Sequence, residues 1–248
     1  LNELSGLVFV NDSLMVGLND GVNAAELFFI NIKGELKHRC AIINARNVDW
    51  EDIAKDEKGN LYIADVGNNE NKRQDLTIYI VSVDSCLKKN EVVAKKISYS
   101  YPEQKSFPPE KSEMNFDAEA MVYYQDSLYL FTKCRALPWT GNSLVYSLSV
   151  KDSIQKAHFL APLYIGPRGW WQDAVTAADM VGNTCYIMTY NRLMVYKLEK
   201  GQLKFDKRYY LQPITQKEAL AVSPKGQIFV GDERQKLLGG GYLYKLKP

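Results

Sequence analysis

The chain has 248 residues, 46% hydrophobic and 24% charged, and a formal net charge of +2. Those are ordinary values for a globular protein long enough to bury a substantial core. A charge this close to zero gives no global field for nucleic acid or an anionic membrane surface, and no apolar run approaches the ~18–20 residues that span a bilayer.

Taken in chain order, one pattern recurs five times. The openings read Glu3-Leu-Ser-Gly-Leu, Glu51-Asp-Ile-Ala, Glu119-Ala-Met-Val, Thr176-Ala-Ala-Asp-Met and Glu218-Ala-Leu-Ala. Each is followed by a short turn between apolar runs: Asn11-Asp12-Ser13, Glu57-Lys58-Gly59-Asn60, Gln125-Asp126-Ser127, Gly182-Asn183-Thr184 and Pro224-Lys225-Gly226, which is hairpin chemistry. A third apolar run carries an aromatic two residues before an aliphatic: Phe28, Tyr79, Tyr146, Tyr196 and Tyr244. Residues two apart share one strand face. Strong helical periodicity is absent, and Lys200 to Tyr210 alternates like a strand. The Pro- and charge-rich insert from Tyr101 to Glu113 reads as a surface loop rather than a strand. Self-similarity at roughly 40–50 residues marks a propeller, solenoid or array. Five units of three or four strands read as an all-β, five-bladed β-propeller forming one domain over residues 1–248. The approximate blades are 1–46, 47–114, 115–169, 170–214 and 215–248. Leu1 falls inside the first unit, so the natural N-terminus is expected upstream, where a signal or anchor would lie; a sixth blade from that region is the alternative. The last unit supplies strands near 219–223, 228–232 and 242–247, which predicts a short final blade or one closed by a strand from upstream.

Inner strands of a propeller line its central channel, so residues aligned at their starts converge at one end of it. The aligned set is Glu51, Glu119, Thr176 and Glu218, with Ser5 in the first unit; Asp49 and Asp117 share a face with Glu51 and Glu119 if the strands extend that far. Carboxylates crowded into a narrow channel repel unless something offsets them. A hard divalent cation such as Ca²⁺ on Asp49, Glu51, Asp117, Glu119 and Glu218 is one solution. A partly protonated acid/base pair is a second, and bonding to neighbouring backbone N–H groups a third. The second strands also end in polar residues: Asn19-Asp20, Asp65, Lys133-Cys-Arg135, Tyr190-Asn-Arg192 and Asp232-Glu-Arg234, with Arg73 serving the second unit. Asp65, Arg73, Lys133, Arg135 and Asp232 are therefore candidate contacts for an anionic or polyhydroxylated ligand. The competing reading is a ring of salt bridges in which each Arg meets the next blade's Asp. Trp139, Trp170 and Trp171 lie in Gly/Pro-rich stretches and suit ring stacking or protein contact, or else cover blade junctions; Trp50 should be core.

Absences narrow the chemistry. The two histidines, His38 and His158, are far apart, and no HExxH, GxSxG or Walker-type loop occurs, which argues against a His-ligated zinc enzyme or a Ser-His-Asp hydrolase. The four cysteines, Cys40, Cys86, Cys134 and Cys185, follow the repeat rather than metal-ligand spacing and read as buried small hydrophobes.

The stretches Asn47-Val-Asp-Trp-Glu-Asp-Ile-Ala, Gly59-Asn-Leu-Tyr-Ile-Ala-Asp-Val-Gly-Asn-Asn with Arg73, Asp117-Ala-Glu-Ala-Met, Leu130-Phe-Thr-Lys133, Val175-Thr-Ala-Ala-Asp and Glu218-Ala-Leu-Ala resemble exported bacterial β-propellers, loosely grouped as the SdiA-regulated and esterase-like phytase propellers. The resemblance covers most of the chain. It implies a propeller, an extracytoplasmic location and Ca²⁺ held by acidic residues. Thr176 where that pattern has a carboxylate, and Asn68 where it often has Asp, lower the expected metal affinity. The expectation is a binding or interaction module for a small molecule or protein at its loop face. The alternative is a Ca-dependent hydrolase of phosphoesters or lactones, with Lys133 steadying developing charge.

Overall fold

The structure is a computed structural model that describes residues 3–234 and 240–246. Five antiparallel sheets form the blades of a β-propeller. The innermost strands are Leu4–Asn11, Trp50–Lys55, Ala118–Tyr124, Val175–Val181 and Lys217–Val222. They contact one another in a cycle, and Leu4–Asn11 packs against Lys217–Val222 to close it. The ring is thus complete with five blades, which corrects the six-bladed alternative. Each inner strand pairs across its predicted turn with a second strand, and that strand with a third. Fourth strands complete the first four blades, Gln202–Tyr210 among them. Among the described residues the fifth blade has three strands, ending at Leu243–Leu246; residue 247 lies outside the described residues.

Two additional strands tie blades together. Glu91–Val92, from the second repeat, pairs in parallel with the first blade's outer strand. Ile154–Lys156, from the third, does the same for the second blade. The insert after Tyr101 contains only the short 3-10 turn Lys111–Glu113. It is anchored, not loose: Tyr101 and Gln104 are buried, and Gln104 Nε2 donates to Asn71 O at 2.7 Å.

The core lies between blades. Trp50 is buried against Tyr79 in the first junction, and Tyr62, Tyr101 and Tyr146 share the second. Phe9 meets Phe229 edge-to-face, with ring centroids 5.6 Å apart, at the closure. All four cysteines are buried and unbridged. Two inner-strand aspartates latch neighbouring blades. The Asp52 carboxylate accepts from Met121 N at 2.8 Å, and the Asp179 carboxylate from Val222 N at 2.6 Å. Burial raises both above the usual carboxylate range, against those backbone bonds.

Candidate functional site

The same irregularity interrupts all five inner strands. Pairing with the second strand skips one residue between Leu4 and Gly6, Trp50 and Asp52, Ala118 and Ala120, Val175 and Ala177, and Lys217 and Ala219. The skipped residues are Ser5, Glu51, Glu119, Thr176 and Glu218, the set aligned in the repeats. A bulge frees a residue from the ladder and re-aims its side chain, so the repeat installs five side chains at one end of the channel. All five are buried. The blade-1 member is spent locally: Ser5 Oγ donates to Glu51 O at 2.7 Å.

One half of this end is acidic. Carboxylate oxygens of Asp20, Asp49 and Glu51 lie within 4.8 Å of one another, as do those of Asp20, Glu218 and Glu233. Asp20 accepts from Gly21 N at 2.5 Å. No hydrogen bond or ion pair reaches the Asp49 or Glu51 carboxylate among the described residues. Burial pushes Asp20 up to about 7 and Asp49 up to about 6. Burial, and then the charge of Glu119, pushes Glu51 well above the ordinary range. Glycine makes the space: a Cβ on Gly67 would overlap Glu51 Oε1 and lie 2.5 Å from Asp49 Oδ2, and one on Gly21 would lie 2.6 Å from Asp49 Oδ1. This acidic group could hold a metal ion.

The other half is basic and aromatic. Lys133 Nζ lies 2.7 Å from Glu119 Oε2. Burial opposes its charge, but Glu119, Tyr190 and Glu218 together outweigh that and keep the ammonium protonated. Arg135 bonds Asp117 at 2.6 Å and Glu119 at 3.3 Å. Lys133 Nζ sits 5.2 Å from the Trp170 ring centre and 5.3 Å from that of Tyr190, within cation–π range. The Tyr190 hydroxyl donates to Glu218 Oε1 at 3.1 Å. Trp171 packs on Trp170 and Tyr190 but stays 59% exposed at the rim. Trp170 Nε1 and Thr176 Oγ1 are buried with no hydrogen-bond partner.

The candidates named from sequence thus fall in different places. Asp49, Glu51 and Glu218 join the carboxylate groups; Asp117 and Glu119 are instead ion-paired with Arg135 and Lys133. Arg73 bonds Asp65 at 2.9 Å and Gly67 O at 2.8 Å, and Asp65 in turn accepts from Asp49 N, so this pair braces the loop that carries the acids. Asp232 is buried, accepting from Tyr242 N and Tyr244 Oη within its own blade. Trp139 donates to Gly166 O at 3.0 Å, pinning the exit of the third blade. Arg73, Arg135 and Arg192 each pair with an Asp of their own blade, Asp65, Asp117 and Asp173, not the next blade's as the repeat register suggested. The cross-blade reach is from Arg135 to Asn69. Asp20, Glu233 and Tyr190 were not singled out from sequence as site residues, although each sits at a second-strand end or just past it, the positions that supplied Asp65 and Lys133.

No family model and no curated protein matches the sequence. Among solved structures the chain is similar to the glutaminyl cyclase of Myxococcus xanthus, at 12% identity and a TM-score of 0.60, over 99% of this chain and 90% of that one. It is also similar to U3-55K, at 9% identity and 0.48, over 98% and 64%. A third is a 6-phosphogluconolactonase-like protein from Bacteroides uniformis, at 12% and 0.45, over 97% and 69%. At these identities the likeness is one of fold, the β-propeller. No helix among the described residues is long and apolar enough to cross a membrane.

Proposed function

We propose that this protein is an extracytoplasmic ligand-binding propeller whose site is the carboxylate-lined end of its channel, and that a divalent cation of the Ca²⁺ class completes that site. The supporting observation is the trio of buried Glu51 and half-buried Asp20 and Asp49, which forms no ion pair with a basic side chain among the described residues. Buried carboxylates without partners are costly, and here their raised proton affinities stand in for a missing positive charge. Oxygen-only donors suit a hard cation. Asp20, Asp49 and Glu51 would hold it, with Glu218 and Glu233 reached through Asp20. Lys133, Arg135 and the Trp170–Trp171 pair line the opposite side for the organic part of a ligand. The extracytoplasmic location rests on the resemblance to exported propellers.

The direct test is a thermal melt and titration calorimetry of EDTA-treated protein with added Ca²⁺ and, separately, Mg²⁺. Saturable Ca²⁺ binding with a shift of several degrees in Tm is expected, since a ligand that binds only the folded state stabilises it by mass action. No heat and no shift with either ion would refute the cation site.

A second reading is a hydrolase of phosphoesters or lactones, and the near-neutral titration of Asp20 and Asp49 favours it. Groups with values of about 7 and about 6 exchange protons at working pH, as general acids and bases must. Lys133 and Arg135 would steady developing negative charge, and the cation, when bound, would polarise a substrate oxygen. A panel of phosphoesters, lactones and, because of the fold neighbour's activity, N-terminal glutaminyl peptides, assayed with Ca²⁺, decides between binding alone and turnover.

A further inference from the structure

Blades 3 and 4 leave a second, differently built cavity toward their outer strands, a cleft of ≈ 500 Å³. Leu163, Met194 and Phe205 supply apolar wall, and Arg168, Arg192 and Arg208 line the same space. Strand pairing explains the convergence of two of them. Arg192 opens the third strand of blade 4, and Arg208, on the fourth, lies opposite Met194, two residues along. Arg168 arrives from the loop before the Trp170–Asp173 turn.

These guanidinium groups outnumber the anions that meet them. Asp173 pairs with Arg192 and also accepts from Arg168 N at 2.6 Å. No carboxylate pairs with the Arg168 or Arg208 side chain among the described residues. Arg192 is only 2% exposed, and its Nε has no hydrogen-bond partner, a costly state for a buried donor. The field reaches neighbouring groups: hydrogen bonding from Arg168 holds the Tyr210 phenol below its ordinary range, with Arg208 adding to it. Burial, and then the charges of Arg168 and Arg208, lowers Arg192. An oxyanion between the three groups would relieve the repulsion and accept from the orphaned Nε–H. The planar fork of arginine fits carboxylate or phosphate.

We propose that this cleft is a binding site for a small ligand that carries a carboxylate or phosphate on an apolar or aromatic body. The charged end lies among Arg168, Arg192 and Arg208, and the body lies on Leu163, Met194 and Phe205. The proposal is independent of the channel site. The Trp170–Asp173 turn links the two, because Trp170 faces Lys133 while Asp173 holds Arg192.

The test is calorimetry in EDTA with four probes: inorganic phosphate, phenyl phosphate, benzoate and, as a neutral control, benzyl alcohol. Wild-type protein is compared with the double variant Arg168→Ala/Arg208→Ala, whose two side chains are exposed, so that folding, checked by melting, is retained. Saturable binding of phenyl phosphate or benzoate is expected, the tighter of the two naming the charged group. Inorganic phosphate should bind more weakly, the alcohol not at all, and the double variant should lose about tenfold or more in affinity, as expected for charge-assisted bidentate bonds. No saturable anion binding by the wild type, or unchanged affinity in the double variant, would overturn the site. Equal affinity for inorganic and phenyl phosphate would overturn the role given to the apolar wall.

Discussion

Glu51 concentrates the site's chemistry in one side chain. It is buried, bulged out of its strand and unneutralised. Its replacement by Gln keeps the shape and removes the charge. Metal-free Glu51→Gln protein is therefore expected to melt higher than wild type at pH 8, while its Ca²⁺ affinity falls by at least about tenfold, the usual scale for damage to a metal site. The companion pH dependence has a definite sign. Burial raises Asp20 and Asp49 in the fold to about 7 and about 6, above the ordinary aspartate value of 3.8. A fold that raises an acid's pKa holds the extra proton, so this contribution favours folding at low pH and is lost as pH rises from about 4 to about 7. Metal-free wild type should thus lose stability between about pH 4 and about pH 7, and saturating Ca²⁺ should flatten that loss; an unchanged melt across that window would contradict the burial argument. Lys133 is the opposite case. Its removal in Lys133→Met leaves Glu119 with only the longer contact to Arg135, and breaking a buried pair from one side costs up to about 3–5 kcal/mol. Chemical denaturation should show that loss, and adding Glu119→Gln should recover part of it. Much of this was legible as residue type. That Glu119 is neutralised and Glu51 is not was illegible, because both occupy the same repeat position and differ only in what the neighbouring second strand supplies.

At the level of the strand, the five bulges matter more than the strands that carry them. Sequence repetition placed Glu51, Glu119, Thr176 and Glu218 in one register, but a regular ladder would have left their orientation to simple alternation. The missing residue of pairing turns them into the channel. The same inner strands hold the blades together through Asp52 and Asp179. Replacing Asp52 by Ala leaves Met121 N–H without its acceptor at the junction of blades 2 and 3, a loss of about 1–3 kcal/mol. Hydrogen exchange should then accelerate at Met121 and its strand neighbours, whereas Asp52→Asn, which still accepts, should be milder. The short strands Glu91–Val92 and Ile154–Lys156 were not foreseen. Two or three residues carry too little alternation to register in a pattern, and their partners belong to a different repeat.

For the molecule as a whole, stability depends on closing a ring whose ends are far apart in sequence. Phe9 against Phe229 and the cluster of Leu4, Leu7, Met15 and Ala221 around them carry that closure. Phe229→Ala is expected to cost about 3–5 kcal/mol, the range for a buried aromatic truncated to Ala. Limited proteolysis should find the first and fifth blades cut earlier than in wild type; a variant as stable as wild type would show that closure rests elsewhere. The five-bladed architecture itself was visible beforehand, since each hairpin turn, strand alternation and aromatic–aliphatic pair is a local feature, written within about ten residues and repeated. Charge pairing and cavity shape have no such local code. Asp20 meets Glu218 and Glu233, and Arg168 meets Arg192 and Arg208, because blades curve into contact and burial changes what each charge must find. Chain order thus carried the repeat and the end of the channel where function should lie, while the closed ring alone settled which carboxylates stand uncompensated there and where three arginines converge.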